Sequence, residues 1–253
     1  MIDITDIVDE SRLYGDDHHE RCLEYIQAFF ERARFPYVRS AYAVGSVVTG
    51  DYVRGHSDID IVVIAEDTDL ADLTESLRAL NDKLWIPTFH VCKPRDFPPP
   101  DLLFAIRMLA ESQLLYGEDV LGQIGAISVA GLRAQLAVTL SHRLVILRSL
   151  CCSKAVEKFS PEYTSYYCLK FCLLGLRALL VTRGDWDTRR KHVLAEATGH
   201  EALLGLRSRD FLLGLLRQIE RQEHPGALGE RVALLRQAVE LLEQIQSAIA
   251  LEA

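Results

Sequence analysis

What the sequence lacks narrows it first. No apolar stretch reaches the roughly 18 residues that a bilayer-spanning helix needs. The opening MIDITDIVDE is acidic, where a secretory leader would be cationic and then apolar. The expectation is a soluble, cytoplasmic chain with no membrane partner. Six cysteines, at 22, 92, 151, 152, 168 and 172, include no CxxC pair and no Cys/His spacing of a zinc site. Cys168 and Cys172, one helical turn apart among Leu and Phe, read as small core residues in a reduced compartment. A basic excess is missing as well: 36 acidic against 28 basic residues leave a net charge of −8. Gripping a phosphodiester backbone needs the opposite balance, so nucleic acid is disfavoured as a partner. There is no internal repeat and no low-complexity segment. The 253 residues, 49% of them hydrophobic, can fill one large core or two modest ones.

What is present concentrates in Ala43 to Glu66, AVGSVVTGDYVRGHSDIDIVVIAE. The run Ile61-Val62-Val63-Ile64 is too rich in β-branched residues to be anything but a buried strand. Asp58 and Asp60 sit at its mouth, two apart, and so point to the same side of the pleat. Carboxylates spaced about 6–7 Å along a strand repel each other when bare. A hard divalent cation between them makes the pair favourable, and such oxygen-rich, partly hydrated sites suit magnesium. Gly45 lets backbone approach a ligand closely. Ser46 adds a hydroxyl and an amide at a turn into a helix, where phosphate oxygens are favoured. A phosphate cradle and a metal-binding acid pair are the two halves of a nucleoside triphosphate site, and Ser57, next to the acids, joins the candidate nucleotide-binding set.

Gly-Ser followed, nine to thirteen residues on, by Asp-x-Asp in an apolar strand resembles the signature of the nucleotidyltransferase superfamily with the DNA polymerase β-like fold. The resemblance implies one or two magnesium ions on Asp58 and Asp60, with ATP or another nucleoside triphosphate on Gly45 and Ser46. It further implies attack by an acceptor hydroxyl on the α-phosphorus and departure of pyrophosphate.

In chain order, residues 17–34 form an amphipathic helix with Leu23, Ile26, Phe29, Phe30 and Ala33 on one stripe. His18 and His19 read as solvated side chains of its first turn. Val38 to Val44 is a strand, the signature strand follows, and Asp69 to Leu80 is a helix with Leu at three-four spacing. Trp85 to Cys92 is a further strand, and the three prolines at 98–100 precede a helix from about 101 to 115. This pattern predicts an α/β (α+β) domain with a small mixed sheet over residues 1–122. A second, all-α helical-bundle domain over 123–253 follows, with helices near 129–150, 162–183, 189–199, 208–223 and 227–251. The last helix carries an apolar seam, Leu228, Val232, Leu235, Val239, Leu242, Ile245 and Ile249. That seam reads as bundle packing in preference to a dimer interface, leaving monomer or homodimer open.

A catalytic core followed by a bundle makes the whole chain resemble aminoglycoside adenylyltransferases of the streptomycin/spectinomycin type. The stretch Leu173 to Ala197, LLGLRALLVTRGDWDTRRKHVLAEA, is similar to their helix–Gly–basic-turn–helix segment. By that likeness Arg177 and Arg190 (or Lys191) would reach the triphosphate, with the register of Arg177 off by one. A cationic sugar acceptor asks for carboxylates and flat rings, which Glu162, Tyr166 and Trp186 could offer. In one respect the chain departs from the superfamily. The strand beside Asp-x-Asp usually carries a third carboxylate, and here its candidates on the acid side are Thr88 and His90. His90 can act as general base in place of the acid; Glu111 and Glu162 are alternatives. Three functions stay open: nucleotidyl transfer to a small hydroxylated molecule, AMP transfer to a protein partner, and nucleotide binding without catalysis. Arg217 and His224 fit the loosest Arg-x6-His pattern of HEPN ribonucleases, which chance alone supplies at this composition.

Overall fold

The computed structural model describes residues 17–52, 57–66, 70–84, 87–97, 99, 101–199 and 204–251. The chain divides into two compact units, residues 1–126 and 127–253. In the first, α1 (His18–Ala33) precedes β1 (Val38–Val44), the one-turn α2 (Ser46–Thr49), β2 (Ile59–Ala65), α3 (Leu70–Leu84), β3 (Pro87–Cys92), α4 (Leu102–Glu111) and β4 (Ser112–Gly117). The four strands form one mixed sheet in the order β3-β2-β1-β4. β1 runs antiparallel to β2 and β4, and β2 runs parallel to β3.

The strict alternation of a pleated strand sorts the sheet residues into two faces. On one face Ala41, Ala43, Ile59, Ile61, Val63 and Ala65 join Ile26, Phe29 and Phe30 of α1 and Leu73, Leu77 and Leu80 of α3 in a continuous core. Each of these large apolar side chains contributes roughly 1.5–3 kcal/mol by burial. The other face carries Tyr42 and Val44 on β1 and Asp60, Val62 and Ile64 on β2, set side by side by the register Val44↔Asp60 and Tyr42↔Val62. The strand mouth therefore ends in acid on the face that α1 and α3 do not occupy.

Two local readings are corrected. The helix expected over 101–115 stops at Glu111, and Ser112–Gly117 turns back as an edge strand along β1. His18 is buried, with its Nε2 3.8 Å from Cys22 Sγ, and His19 stacks on Tyr52 at a ring separation of 4.8 Å. One helical turn separates His18 from Cys22, so the first turn of α1 faces the core although it is polar.

In the second unit α5 (Val129–Cys152), α6 (Pro161–Thr182), α7 (Arg190–Gly199), α8 (Leu206–Arg221) and α9 (Leu228–Leu251) form the bundle. α9 lies against both α5 and α6. Of its seam, Leu235, Val239, Leu242, Ile245 and Ile249 are buried, while Leu228 is exposed, so the stripe is internal packing over most of its length. Cys168 and Cys172 are fully buried, as expected. By length and apolarity α6, at 22 residues, does meet the test for a membrane-crossing helix, against the sequence expectation. Its apolar stretch is 72% buried inside the bundle, which accounts for that composition without a bilayer. α5 and α6 start on serine caps: Ser128 Oγ accepts from Gly131 N at 3.3 Å and Ser160 Oγ from Tyr163 N at 3.0 Å. Arg231, buried in α9, donates to the Val156 carbonyl at 3.1 Å and to that of Phe159, tying the connection between α5 and α6 to the bundle.

Gly175 marks a close contact between α6 and α9. A Cβ there would lie 2.5 Å from Leu242 Cδ2 and 3.1 Å from Ile245 Cδ1. Gly175→Val should therefore overpack the α6–α9 contact by about 1–3 kcal/mol. The melting midpoint should fall by several degrees; an unchanged midpoint would show that these helices do not approach so closely.

Candidate active site

The site is built from β1 outward. Val44 pairs with Asp60, so the chain leaving β1 enters the Gly45-Ser46 turn directly beside the acid pair. Gly45 adopts φ 85°, ψ −139°, a conformation open essentially to glycine alone. Its N–H donates to the Glu111 carbonyl at 2.8 Å. Its own carbonyl accepts from Val48 N at 2.9 Å and Thr49 N at 3.1 Å, which starts α2 with Ser46 as first helical residue. Asp58 is exposed, Asp60 half-buried, and Ser57 just before them half-buried.

β3 completes the acid side. The register Asp60↔Thr88 and Val62↔His90 puts both β3 candidates on the acid face, as expected, while Phe89 packs against the core behind. His90 Nε2 lies 3.1 Å from Asp60 Oδ1. That hydrogen bond raises the imidazole above its ordinary value; burial pulls it down, Asp60 and Asp58 raise it further by charge, and Arg107 opposes them. The imidazole thus stands within electrostatic reach of both aspartates and of a cation on α4. Since a carboxylate only accepts, Nε2 carries the proton in the neutral ring and Nδ1 keeps the lone pair.

α4 brings two side chains that sequence reading passed over, Phe104 and Arg107, beside Glu111, which that reading names as an alternative base. Phe104 leans on His90 with ring centroids 6.2 Å apart. Arg107 Nε bonds Glu111 Oε2 at 3.2 Å, and Glu111, at 1% exposure, is too deeply buried to act as a base toward solvent. The available signal was that Arg107 and Glu111, four apart, are the only charges in LLFAIRMLAE. Among the described residues no group of three or more His, Cys, Asp or Glu forms a metal cage. Two carboxylates at an open strand mouth instead match a hard cation that takes its remaining ligands from phosphate and water.

The remaining candidates belong to the second unit. Arg177 Nε donates to the Thr188 carbonyl at 2.7 Å and so anchors the turn after α6. Arg190 and Lys191 open α7, Arg190 half-buried and Lys191 exposed. Burial pushes the Tyr166 hydroxyl up, Arg190 pulls it down and Glu162 pushes it up, so these three share one neighbourhood. Tyr166 also faces His224 at 6.3 Å between ring centroids. Trp186 is 40% exposed in the turn, and Arg217 is exposed on α8. That turn is held by His192, whose Nε2 lies 2.6 Å from Asp185 Oδ2.

The hydrogen bond to Asp185 raises His192 above its ordinary 6.5, burial opposing. A proton held more tightly folded than unfolded stabilises fully below about pH 6.5. That contribution fades as pH rises through the raised value. NMR should find His192 titrating above 6.5 and Asp185→Asn returning it toward that value; identical titrations would remove the pair.

Residues 25–106 match the nucleotidyltransferase domain family. No curated protein sequence matches the chain. Among solved structures, a spectinomycin adenyltransferase from Enterococcus faecialis, crystallised with ATP and spectinomycin, is similar over 91% of this chain and 99% of its own. The two share 11% identity with a TM-score of 0.56, a likeness of fold. The protein therefore carries a nucleotidyltransferase domain, followed by a helical unit, on the fold of an adenyltransferase.

Proposed function

We propose that this enzyme transfers a nucleoside monophosphate, AMP from ATP, to a hydroxyl of a small aminoglycoside-type molecule and releases pyrophosphate. The observation that carries this reading is the Val44↔Asp60 register, which sets the Gly45-Ser46 turn against the acid pair. Asp58 and Asp60 would hold magnesium, which when bound neutralises charge on the phosphates. Gly45 and Ser46 receive the phosphate tail, with Ser57 beside the acids. His90 takes the hydroxyl proton at Nδ1 as the acceptor oxygen bonds to the α-phosphorus and pyrophosphate leaves with the bonding electron pair. Asp60 and Phe104 hold the imidazole for that role. In the second unit, Arg177, Arg190 and Lys191 are the proposed phosphate cations, with Glu162, Tyr166 and Trp186 as the acceptor surface. The grouping of Glu162 and Tyr166 with Arg190 supports this, since an acid and a ring suit a cationic sugar.

Asp58→Asn and Asp60→Asn should each lower transfer by about a thousandfold, the scale of losing a transition-state electrostatic contact. Melting behaviour should stay near normal, because neither residue belongs to the core. Incubation with magnesium, α-labelled ATP, a panel of aminoglycosides and cell extract should place label on a small molecule. Label on a protein, or on nothing, would overturn the acceptor assignment, and activity retained in both variants would overturn the site.

A further inference from the structure

Phe104, Arg107 and Glu111 fall at i, i+3 and i+7 of α4, one helical face, and that face meets the site at both ends. At one end Phe104 touches His90. At the other the Glu111 carbonyl accepts from Gly45 N. Arg107 lies between, and its position is specific. A Cβ on residue 45 would lie 2.6 Å from Arg107 Nη2, so the guanidinium rests on bare glycine backbone. The guanidinium thus stands at the phosphate turn, which the Val44↔Asp60 register sets beside the acid pair. A triphosphate with its α-phosphorus at Asp58 and Asp60 and its tail at Gly45-Ser46 must cross that stretch.

The bland alternative is that Arg107 only neutralises Glu111. Neutralisation alone does not require the fork to extend over the turn. Nε–H serves Glu111 and Nη2 reaches Gly45, while 22% of the Arg107 side chain stays exposed against 1% of its partner. A guanidinium has five donors in a rigid fork suited to phosphate oxygens, and one of them is spent on Glu111.

We propose that Arg107 is a phosphate-binding residue of the nucleotide site. It grips the β,γ end of the triphosphate and the pyrophosphate that end becomes, and Glu111 is the positioning residue that aims its fork. This rests on the nucleotidyl-transfer reading and adds to it a cation from the same unit as the acids.

The test is calorimetric binding of ATP with magnesium, inorganic pyrophosphate and adenosine to the full chain. Arg107→Gln should weaken ATP and pyrophosphate at least about tenfold while adenosine binds as before. Arg107→Lys, keeping charge without the fork, should fall between. Glu111→Gln should lower the ratio of ATP to adenosine affinity, which a purely structural role would leave unchanged. If Arg107→Gln leaves Glu111 stranded and fails to fold, the double variant with Glu111→Gln removes that charge and should show the same phosphate-selective loss. Unchanged pyrophosphate binding in the variants, or equal loss of adenosine, overturns the inference. Wild-type protein that binds no nucleotide overturns the nucleotidyl-transfer reading and this inference together, so the two failures are distinguishable.

Discussion

Everything at the site depends on negative charge gathered at the end of a strand. Asp58 and Asp60, two apart at the mouth of β2, repel each other, and something positive between or beside them relieves that repulsion. In the protein alone, His90 meets part of that need through Asp60, and the Arg107 charge stands within reach of the same imidazole. The β2 backbone that presents the acids is buried on both faces, so the acids cannot retreat from one another by relaxing the strand. A site of this kind favours cations, and with them the phosphate chain that cations bring.

The sheet explains why the acids and the glycine turn meet. Asp58 and Ser46 are twelve residues apart, yet antiparallel pairing makes Val44 and Asp60 neighbours. This much was legible in the chain, because the β-branched run after Asp60 has no other reading and the glycine-serine turn precedes it at the right distance. The bundle helices were legible for a similar reason: long periodic stretches leave little choice of type. His90 was readable too, since alternation alone puts Thr88 and His90 on the acid face of any strand that pairs beside β2.

What escaped was decided by tertiary pairing. Ser112 to Gly117 has no periodicity that separates strand from a last helical turn; β1 offers it an open edge, and that edge decides. His18 was misjudged because its first-turn neighbours are polar, whereas burial follows the helical stripe that contains Cys22 and Ile26. The role of α4 was hidden for another reason. An i,i+4 Arg–Glu pair usually belongs to a solvated surface and is worth little there. Only the fold shows that this pair packs against Gly45 with its carboxylate out of water, where the same two residues act far more strongly on their surroundings.

The absent third carboxylate and the presence of Arg107 are two sides of one electrostatic balance. An acid at position 88 or 90 would add a third negative charge to the face of Asp60, and compensating it would call for more bound cation. With Thr88 and His90 there, the open acids number two among these positions, and an imidazole hydrogen-bonded to one of them holds its ring in place without adding charge of that sign. Phosphate entering such a site meets less repulsion from the protein, and a guanidinium already fixed over the turn needs no reorganisation to meet it. The Glu111 that fixes it is buried and paired with Arg107, so its negative charge is spent on Arg107 before it can oppose the ligand.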